Sequence, residues 1–291
     1  MLYSLPKYPL LLLLITFLFS CKKEEVKMDI VQEDQIVVVA EVDTFDVAYG
    51  MDESQTLNYY LPEGFHNETP MLILIHGGGW QGGDKNEIHR YQLMVKESGL
   101  EYAVLNINYR LCEIGVPMVE DQISDIFNAI NHFKLLNPSW AGKTVLMGYS
   151  TGGFFASYLG VTLSNVHVDG VINVAGHVDF TIPSYINNPT ESNYLLNVFG
   201  NVTYTQNPQL WNRWSTITYL DETAPPFLSF YFELDQLVPS LQGQRFHDRL
   251  TELGISSRFN LFLNENHFDW SDETNRDMDE KIILFLREMK G

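Results

Sequence analysis

The chain is poor in cysteine, with two in 291 residues, Cys21 and Cys112. Two thiols so far apart make neither a disulfide framework nor a cysteine-rich zinc site. Basic residues are scarce as well: 18 Lys and Arg stand against 37 Asp and Glu, a formal net charge of −19. Such an acidic excess repels phosphate backbones and anionic headgroups, which excludes nucleic-acid binding as a working idea. No apolar run is long enough to cross a bilayer. The longest, Leu10 to Phe19, falls well short of the roughly 20 residues that a spanning helix needs. Internal repeats and low-complexity segments are also lacking. What is abundant is core material: 45% of the residues are hydrophobic, enough for one large packed α/β domain and too many for a disordered chain.

The short apolar run has the character of a secretory h-region behind Lys7. It ends in Leu18-Phe19-Ser20-Cys21, which resembles a bacterial lipobox whose cysteine becomes the lipidated first residue of the mature protein. The following Lys22-Lys23-Glu24-Glu25 resembles the signal that sends lipoproteins to the surface of some Gram-negative cells. The expectation is a signal over residues 1–20, lipid attachment at Cys21, a tether over 21–43, and an outer-membrane or cell-surface location. The membrane is then a partner through the anchor alone.

Residues 44–291 read as the folded domain. "TFDVAYG" and "TLNYYLP" alternate like an antiparallel pair around a turn at 51–54. Strand and helix patterns then succeed one another. "MLILIHG" (71–77) is a continuous apolar run of the kind buried on both faces of a sheet. Strands are expected over 102–110, 143–150, 168–176, 226–234 and 257–263. Helices are expected over 85–98, 118–136, from Thr151, 239–253 and 273–289. Ile123, Ile126, Phe127, Ile130 and Phe133 form the stripe of an amphipathic helix. This alternation predicts a mostly parallel sheet with helices on both faces. Residues 177–224 break the pattern and are too long for an ordinary connection, so they read as a cap insertion.

Three stretches carry chemistry. "GYSTGG" from Gly148 stands between a strand and a helix, the context of a G-x-S-x-G nucleophile elbow that lifts the hydroxyl of Ser150 above the sheet. "HGGGW" (76–80) follows a strand directly. Backbone amides at Gly77 and Gly78, with that of Thr151 after the serine, can aim at one developing oxyanion. A serine nucleophile needs a base, and the base needs a carboxylate. His267, in "NENHFDW", lies between the last strand and the last helix and is the candidate base; His177, at a strand end beside the cap, competes. Asp235, just past "PFLSFYFEL", is the candidate acid. Glu233 belongs to the strand itself, and Asp269 is too near His267 in sequence to face its ring. The order Ser150, Asp235, His267 is nucleophile, acid, base. Cys112 follows a buried strand and reads as an unpaired thiol.

With "HGGGWQGGDK", "NYRL", "GYSTGG", "DQLVP" and the "NENHF" histidine, the chain resembles α/β-hydrolase carboxylesterases that carry the HGGGW loop. These include hormone-sensitive-lipase-like enzymes and bacterial feruloyl or acetyl-xylan esterases. Kynurenine formamidase has a similar loop. The resemblance implies an α/β-hydrolase fold and ester hydrolysis through an acyl-enzyme, with no metal and no cofactor. It also implies that Asp84, Lys85, Tyr109 and Arg110 brace loops. Thr151 stands where many such enzymes have alanine, and Glu233 where a glycine is common, which leaves the substrate class open. Short-acyl or aryl esters, glycan esters among them, are the expected substrates. Amide hydrolysis and a catalytically silent surface binder are the alternatives. Trp80, Trp211 and Trp214 are candidate substrate-binding aromatics, although the two in the cap serve equally as the cap's own core.

Overall fold

The computed structural model describes residues 40–291 apart from 114, 165 and 188–192. The signal over 1–20, Cys21 and nearly all of the expected tether lie outside the described residues. An eight-stranded sheet runs in the order β1-β2-β4-β3-β5-β6-β7-β8. Its strands are β1 (Val42–Ala48), β2 (Thr56–Leu61), β3 (Met71–Ile75), β4 (Ala103–Ile107), β5 (Thr144–Tyr149), β6 (Gly170–Val174), β7 (Phe227–Phe232) and β8 (Ser257–Phe262). The first two and the β2–β4 pairing are antiparallel. From β4 to β8 every pairing is parallel. This is the α/β-hydrolase fold. β1 begins at Val42, inside the stretch that the sequence suggested as tether, because Val42 already pairs with Leu61.

The period of two explains why apolar runs occupy the middle of the sheet. All five residues of β3 are buried, and they divide between the faces. Met71, Ile73 and Ile75 meet one core, which contains Ile126, Phe133 and Phe155. Leu72 and Leu74 meet the other, which contains Tyr91, Val95, Ile282 and Phe285. Helices α2 (Val119–Leu136), α3 (Thr151–Thr162) and α7 (Leu241–Glu252) cover the first face, and α1 (His89–Glu97) and α8 (Asp272–Lys290) the second. A strand buried on both sides can expose no polar alternation, so its sequence reads as one hydrophobic block.

Between β6 and β7 the chain forms α4 (Pro183–Asn187), α5 (Asn193–Val198) and α6 (Pro208–Trp214). Val178, Phe180, Ile182, Trp211 and Trp214 from this stretch join the same core as Trp80 and Phe154. Trp211 is 1% and Trp214 3% exposed. Trp211 packs edge-on to Phe199 at 5.0 Å, and its indole donates to the carbonyl of Val202. Trp211 thus packs inside the insertion, and Trp214 meets Tyr158 of α3 at 5.4 Å, on the body.

The loop residues expected to brace do so. Asp84 accepts from Asn108 Nδ2 at 2.7 Å and caps the turn at Asn86. Lys85, nearly fully buried, pairs with Asp46 at 2.8 Å. Tyr109 donates its hydroxyl to the carbonyl of His76 at 2.9 Å. Arg110 makes a fork to Asp125, with Nε on Oδ2 and Nη2 on Oδ1, both at 2.8 Å. The Asp125 side chain is fully buried, and it accepts also from Gln55. Removing the guanidinium strands a buried carboxylate, so Arg110→Met should cost about 3 kcal/mol or more. Urea unfolding of the variant measures this; a loss below about 1 kcal/mol would mean that the remaining donors suffice for Asp125.

Candidate active site

Parallel strands bring their C-terminal ends to one edge, and the loops that follow them gather there. β3 leads into His76–Trp80, β5 into Ser150, β6 into His177, β7 into Asp235 and β8 into His267. Five segments far apart in sequence thereby meet.

Ser150 has φ 53° and ψ −118°, a left-handed backbone that a side chain rarely adopts. Close approach on both sides imposes it. A Cβ on Gly148 would lie 2.0 Å from the carbonyl oxygen of Gly152, and one on Gly152 would lie 1.9 Å from that of Ile75. The Ser150 amide donates to Val174 O at 2.8 Å, which ties the turn to β6.

His267 Nε2 lies 2.8 Å from Ser150 Oγ, and its Nδ1 lies 2.6 Å from Asp235 Oδ2. A carboxylate only accepts, so Nδ1 carries the proton and Nε2 is left to accept from the serine hydroxyl. Asp235 is fixed by its second oxygen, which accepts from the amides of Leu237 and Val238, each at 2.8 Å. Tyr149 donates its hydroxyl to the carbonyl of His267 at 2.7 Å and stacks beside the imidazole at 5.4 Å. Asp235 and His267 are both buried.

His177 does not join this chain. Its Nδ1 lies 3.1 Å from the Tyr185 hydroxyl and 3.3 Å from Gln242 Nε2, and its ring stacks on Trp80 at 5.5 Å. Burial, with the nearby His267 adding to it, holds its pKa down at about 3. His76 is likewise neutral. Burial lowers its pKa to about 4, its ring stacks flat on Tyr109 at 4.3 Å, and its Nδ1 bonds the carbonyl of Gly77 at 2.7 Å. Glu233 accepts from the amide of Asn264 at 3.0 Å, joining two loops away from the imidazole.

A cavity of about 370 Å³ opens over Ser150, with walls from Gly78, Gly79, Trp80, His177, Leu237 and Phe268. Thr151, Tyr149 and Glu87 also border it. Of the three residues expected to supply oxyanion donors, Gly78 and Thr151 border the cavity and Gly77 does not. Gly78 and Gly79 face the cavity, whereas Gly77 lies behind it, where a Cβ would meet Tyr149 O at 2.9 Å and Ser150 Cβ at 3.1 Å. Gly77 permits the loop to touch the elbow; the positive φ values of Gly78 (116°) and Gly79 (61°) turn the loop over it. Trp80 lines the cavity as expected. Trp211 and Trp214 do not, since the core of the insertion occupies them. Gly79, Tyr149, Leu237 and Phe268 could not be singled out from the sequence pattern. Phe268 was the nearest to legible, as the neighbour of the candidate base.

Low-pKa histidines carry a consequence for stability. In the unfolded chain a histidine titrates near pH 6.5, above the folded values of about 4 and about 3 for His76 and His177. The unfolded state thus takes up these protons first. Stability is full above about pH 6.5 and is lost as the pH falls toward 4. The urea midpoint should drop across that window, and His177→Gln should make the drop shallower. An unaltered slope in that variant would show that His177 titrates alike in both states.

Comparison with known proteins adds an independent line. The model of the BD-FAE family matches residues 57–250. Esterase LipC of Mycobacterium tuberculosis is 24% identical over 226 residues, covering 72% of this chain and 55% of its own length. Kynurenine formamidase of Drosophila melanogaster is 24% identical over 81% of this chain and 78% of its own. This chain thus spans little more than half of the mycobacterial relative. Among solved structures, a truncated carbohydrate esterase from gut microbiota superposes with a TM-score of 0.69 at 20% identity, over 87% of this chain and 97% of that one.

Proposed function

This chain belongs to the BD-FAE family, and from that membership and the geometry over the cavity we propose that it is a serine carboxylesterase. The observation that carries the reading is the hydrogen-bonded row Asp235–His267–Ser150 beneath a loop that presents Gly78 and Gly79 to the same cavity. Ser150 Oγ attacks the ester carbonyl carbon while His267 Nε2 takes its proton. The amides of Gly78, Gly79 and Thr151 hold the negative oxygen of the tetrahedral intermediate. Its collapse breaks the bond to the alcohol, which leaves with the proton from His267. Water then gives a proton to His267 and its oxygen to the acyl carbon. The acid departs, and Ser150 regains its hydrogen. Asp235 keeps the imidazole in the required tautomer and stabilises its charged form.

The cavity favours small acyl groups. Trp80 and His177 wall it, and each is pinned by its own packing, so added methylenes gain ~0.8 kcal/mol apiece only until the space is filled. The substrate we favour is a short acyl group carried on a glycan. The gut carbohydrate esterase that shares the fold supports this, as does the expected position at a cell surface, where polymers are met first. A second reading, amide hydrolysis, is favoured by the breadth of the match to the formamidase. An N-formyl amide turned over faster than every ester would select it.

Ser150→Ala should lower kcat on the order of 10⁴-fold or more while leaving the fold intact. Asp235→Asn should lose most turnover through the wrong imidazole tautomer. Ester hydrolysis by the purified variants, with circular dichroism as the folding control, measures both. Near-normal activity in Ser150→Ala would sink the nucleophile. A dead Glu233→Gln beside an active Asp235→Asn would relocate the acid.

The reading extends to the start of the chain: residues 1–20 are removed, Cys21 is acylated, and the enzyme stands on the outer membrane. Acyl chains add ~0.8 kcal/mol per buried methylene, so two or more hold firmly. Cells fed a labelled fatty acid should yield labelled protein in the membrane fraction. A Cys21→Ser variant that is still labelled and still membrane-bound would refute the anchor.

A further inference from the structure

A serine esterase uses its histidine twice, and the two uses differ in what holds the ring. Before reaction the imidazole of His267 is held at both ends, by Asp235 at Nδ1 (2.6 Å) and by Ser150 Oγ at Nε2 (2.8 Å). Once the serine is acylated, its oxygen is bonded to the acyl carbon and has no hydrogen to donate. The bond at Nε2 is then lost, at the stage when Nε2 must take a proton from water. Asp235 still grips Nδ1, but one bond at one end of a ring does not fix the other end. In that interval the placement of Nε2 depends on how firmly the backbone of His267 is held.

His267 stands in the turn between β8 and α8. Some bonds of this turn run to the neighbouring acid loop. The Asn264 amide donates to Glu233 Oε2 at 3.0 Å, and the Glu265 carbonyl accepts from the amide of Leu234 at 2.9 Å. Others stay inside the turn. Asn266 Oδ1 accepts from the amides of Phe268 and Asp269 at 2.8 and 3.0 Å, and the Trp270 indole donates to the Asn266 carbonyl at 3.0 Å. The Tyr149 hydroxyl comes from a third direction. It reaches from the residue directly before the nucleophile to the carbonyl of the base itself, at 2.7 Å. This bond ties the backbone of the base to that of the nucleophile, and acylation of Ser150 Oγ leaves it intact.

Tyr149 is itself well fixed. It is the last residue of β5, paired with Val174 of β6. Trp270 meets its ring edge-on at 5.4 Å and is stacked in turn on Phe232 at 4.7 Å. The imidazole lies 5.4 Å from the same ring, inclined by 30°. Burial, with the charge of Asp235 adding to it, raises the pKa of the phenol, so the hydroxyl stays a donor at neutral pH. We propose that Tyr149 is a positioning residue that keeps His267 in register with Ser150 through the acyl-enzyme stage, and so governs deacylation more than acylation. The role rests on the esterase reading above.

The test follows nitrophenol release from p-nitrophenyl acetate by stopped flow, with the purified protein, Tyr149→Phe and Ser150→Ala. Tyr149→Phe keeps the ring and removes only the hydroxyl, and circular dichroism checks its fold. A burst of about one nitrophenol per enzyme reports acylation, and the steady phase after it reports deacylation. In Tyr149→Phe the burst rate should change less than about threefold and the steady rate should fall at least about tenfold, so that kcat and KM drop together while kcat/KM is nearly kept. A merely structural loss slows both phases alike. Equal slowing of the two phases, or none of either, would overturn the role of Tyr149 and leave the esterase reading standing. Release no faster from the unaltered protein than from Ser150→Ala would overturn the esterase reading itself.

Discussion

The active site depends on a steric crowding. Three backbone segments converge where β5 turns into α3, and none leaves room for a side chain. Gly148 faces the carbonyl of Gly152 at a distance no Cβ tolerates, Gly152 faces that of Ile75, and Gly77 backs onto Tyr149 and Ser150. Only with all three bare can β3, β5 and α3 close on one another. Closure then forces Ser150 into its left-handed conformation and raises the hydroxyl above the sheet. Backbone strain of this kind costs on the order of 1–3 kcal/mol and survives where the surroundings over-determine it. Here they do, through the amide bond to Val174 and the first turn of α3.

Around that point, titratable groups are sorted by burial and by partner. His267 has a carboxylate behind it and a hydroxyl in front. His76 and His177, equally buried, have neutral partners and aromatic stacks, and their pKa values are driven far below the ordinary one. One residue type thus fills two roles through its neighbours alone. The neutral pair serves as shaped, polar packing that keeps additional positive charge away from the imidazole.

Much of this was legible in the sequence because it is local. The strands between helices are short apolar blocks, and each element outside the insertion falls within a few residues of its expected place, whereas α4, α5 and α6 inside it were not assigned. The elbow and the glycine loop are contiguous motifs. Asp235 and His267 could be named because parallel strands deliver their following loops to one edge. What escaped depends on side-chain direction across the fold. Trp211 and Trp214 look like ligand-stacking residues in an aromatic-rich insertion, yet the first packs the insertion's own core and the second packs it against Tyr158. Gly77 and Gly79 are indistinguishable in a run of three glycines until the path of the loop assigns one to packing and the other to the cavity wall. Tyr149 is hidden inside the elbow motif itself, and its bond to the His267 carbonyl spans 118 positions.

The glycine loop poses its own difficulty. Gly78, Gly79 and Trp80 in succession have positive φ, the last at 65° with the largest side chain of all. For an aromatic residue that conformation costs roughly 1–2 kcal/mol. It is offset at a single atom. The carbonyl of Trp80 accepts from the amide of Cys112 at 3.0 Å, from its thiol at 3.2 Å and from Gln122 Nε2 at 2.8 Å. Burial raises the thiol's pKa, which keeps its hydrogen available for that bond. The indole is meanwhile held among His177, Phe154 and Phe180. The buried Cys112 thiol therefore acts mechanically. Together with Gln122 it clamps the far end of the loop whose near end is stacked through His76 on Tyr109. Held at both ends, the two glycines between have little freedom left, which is the preorganisation that the proposed oxyanion role requires.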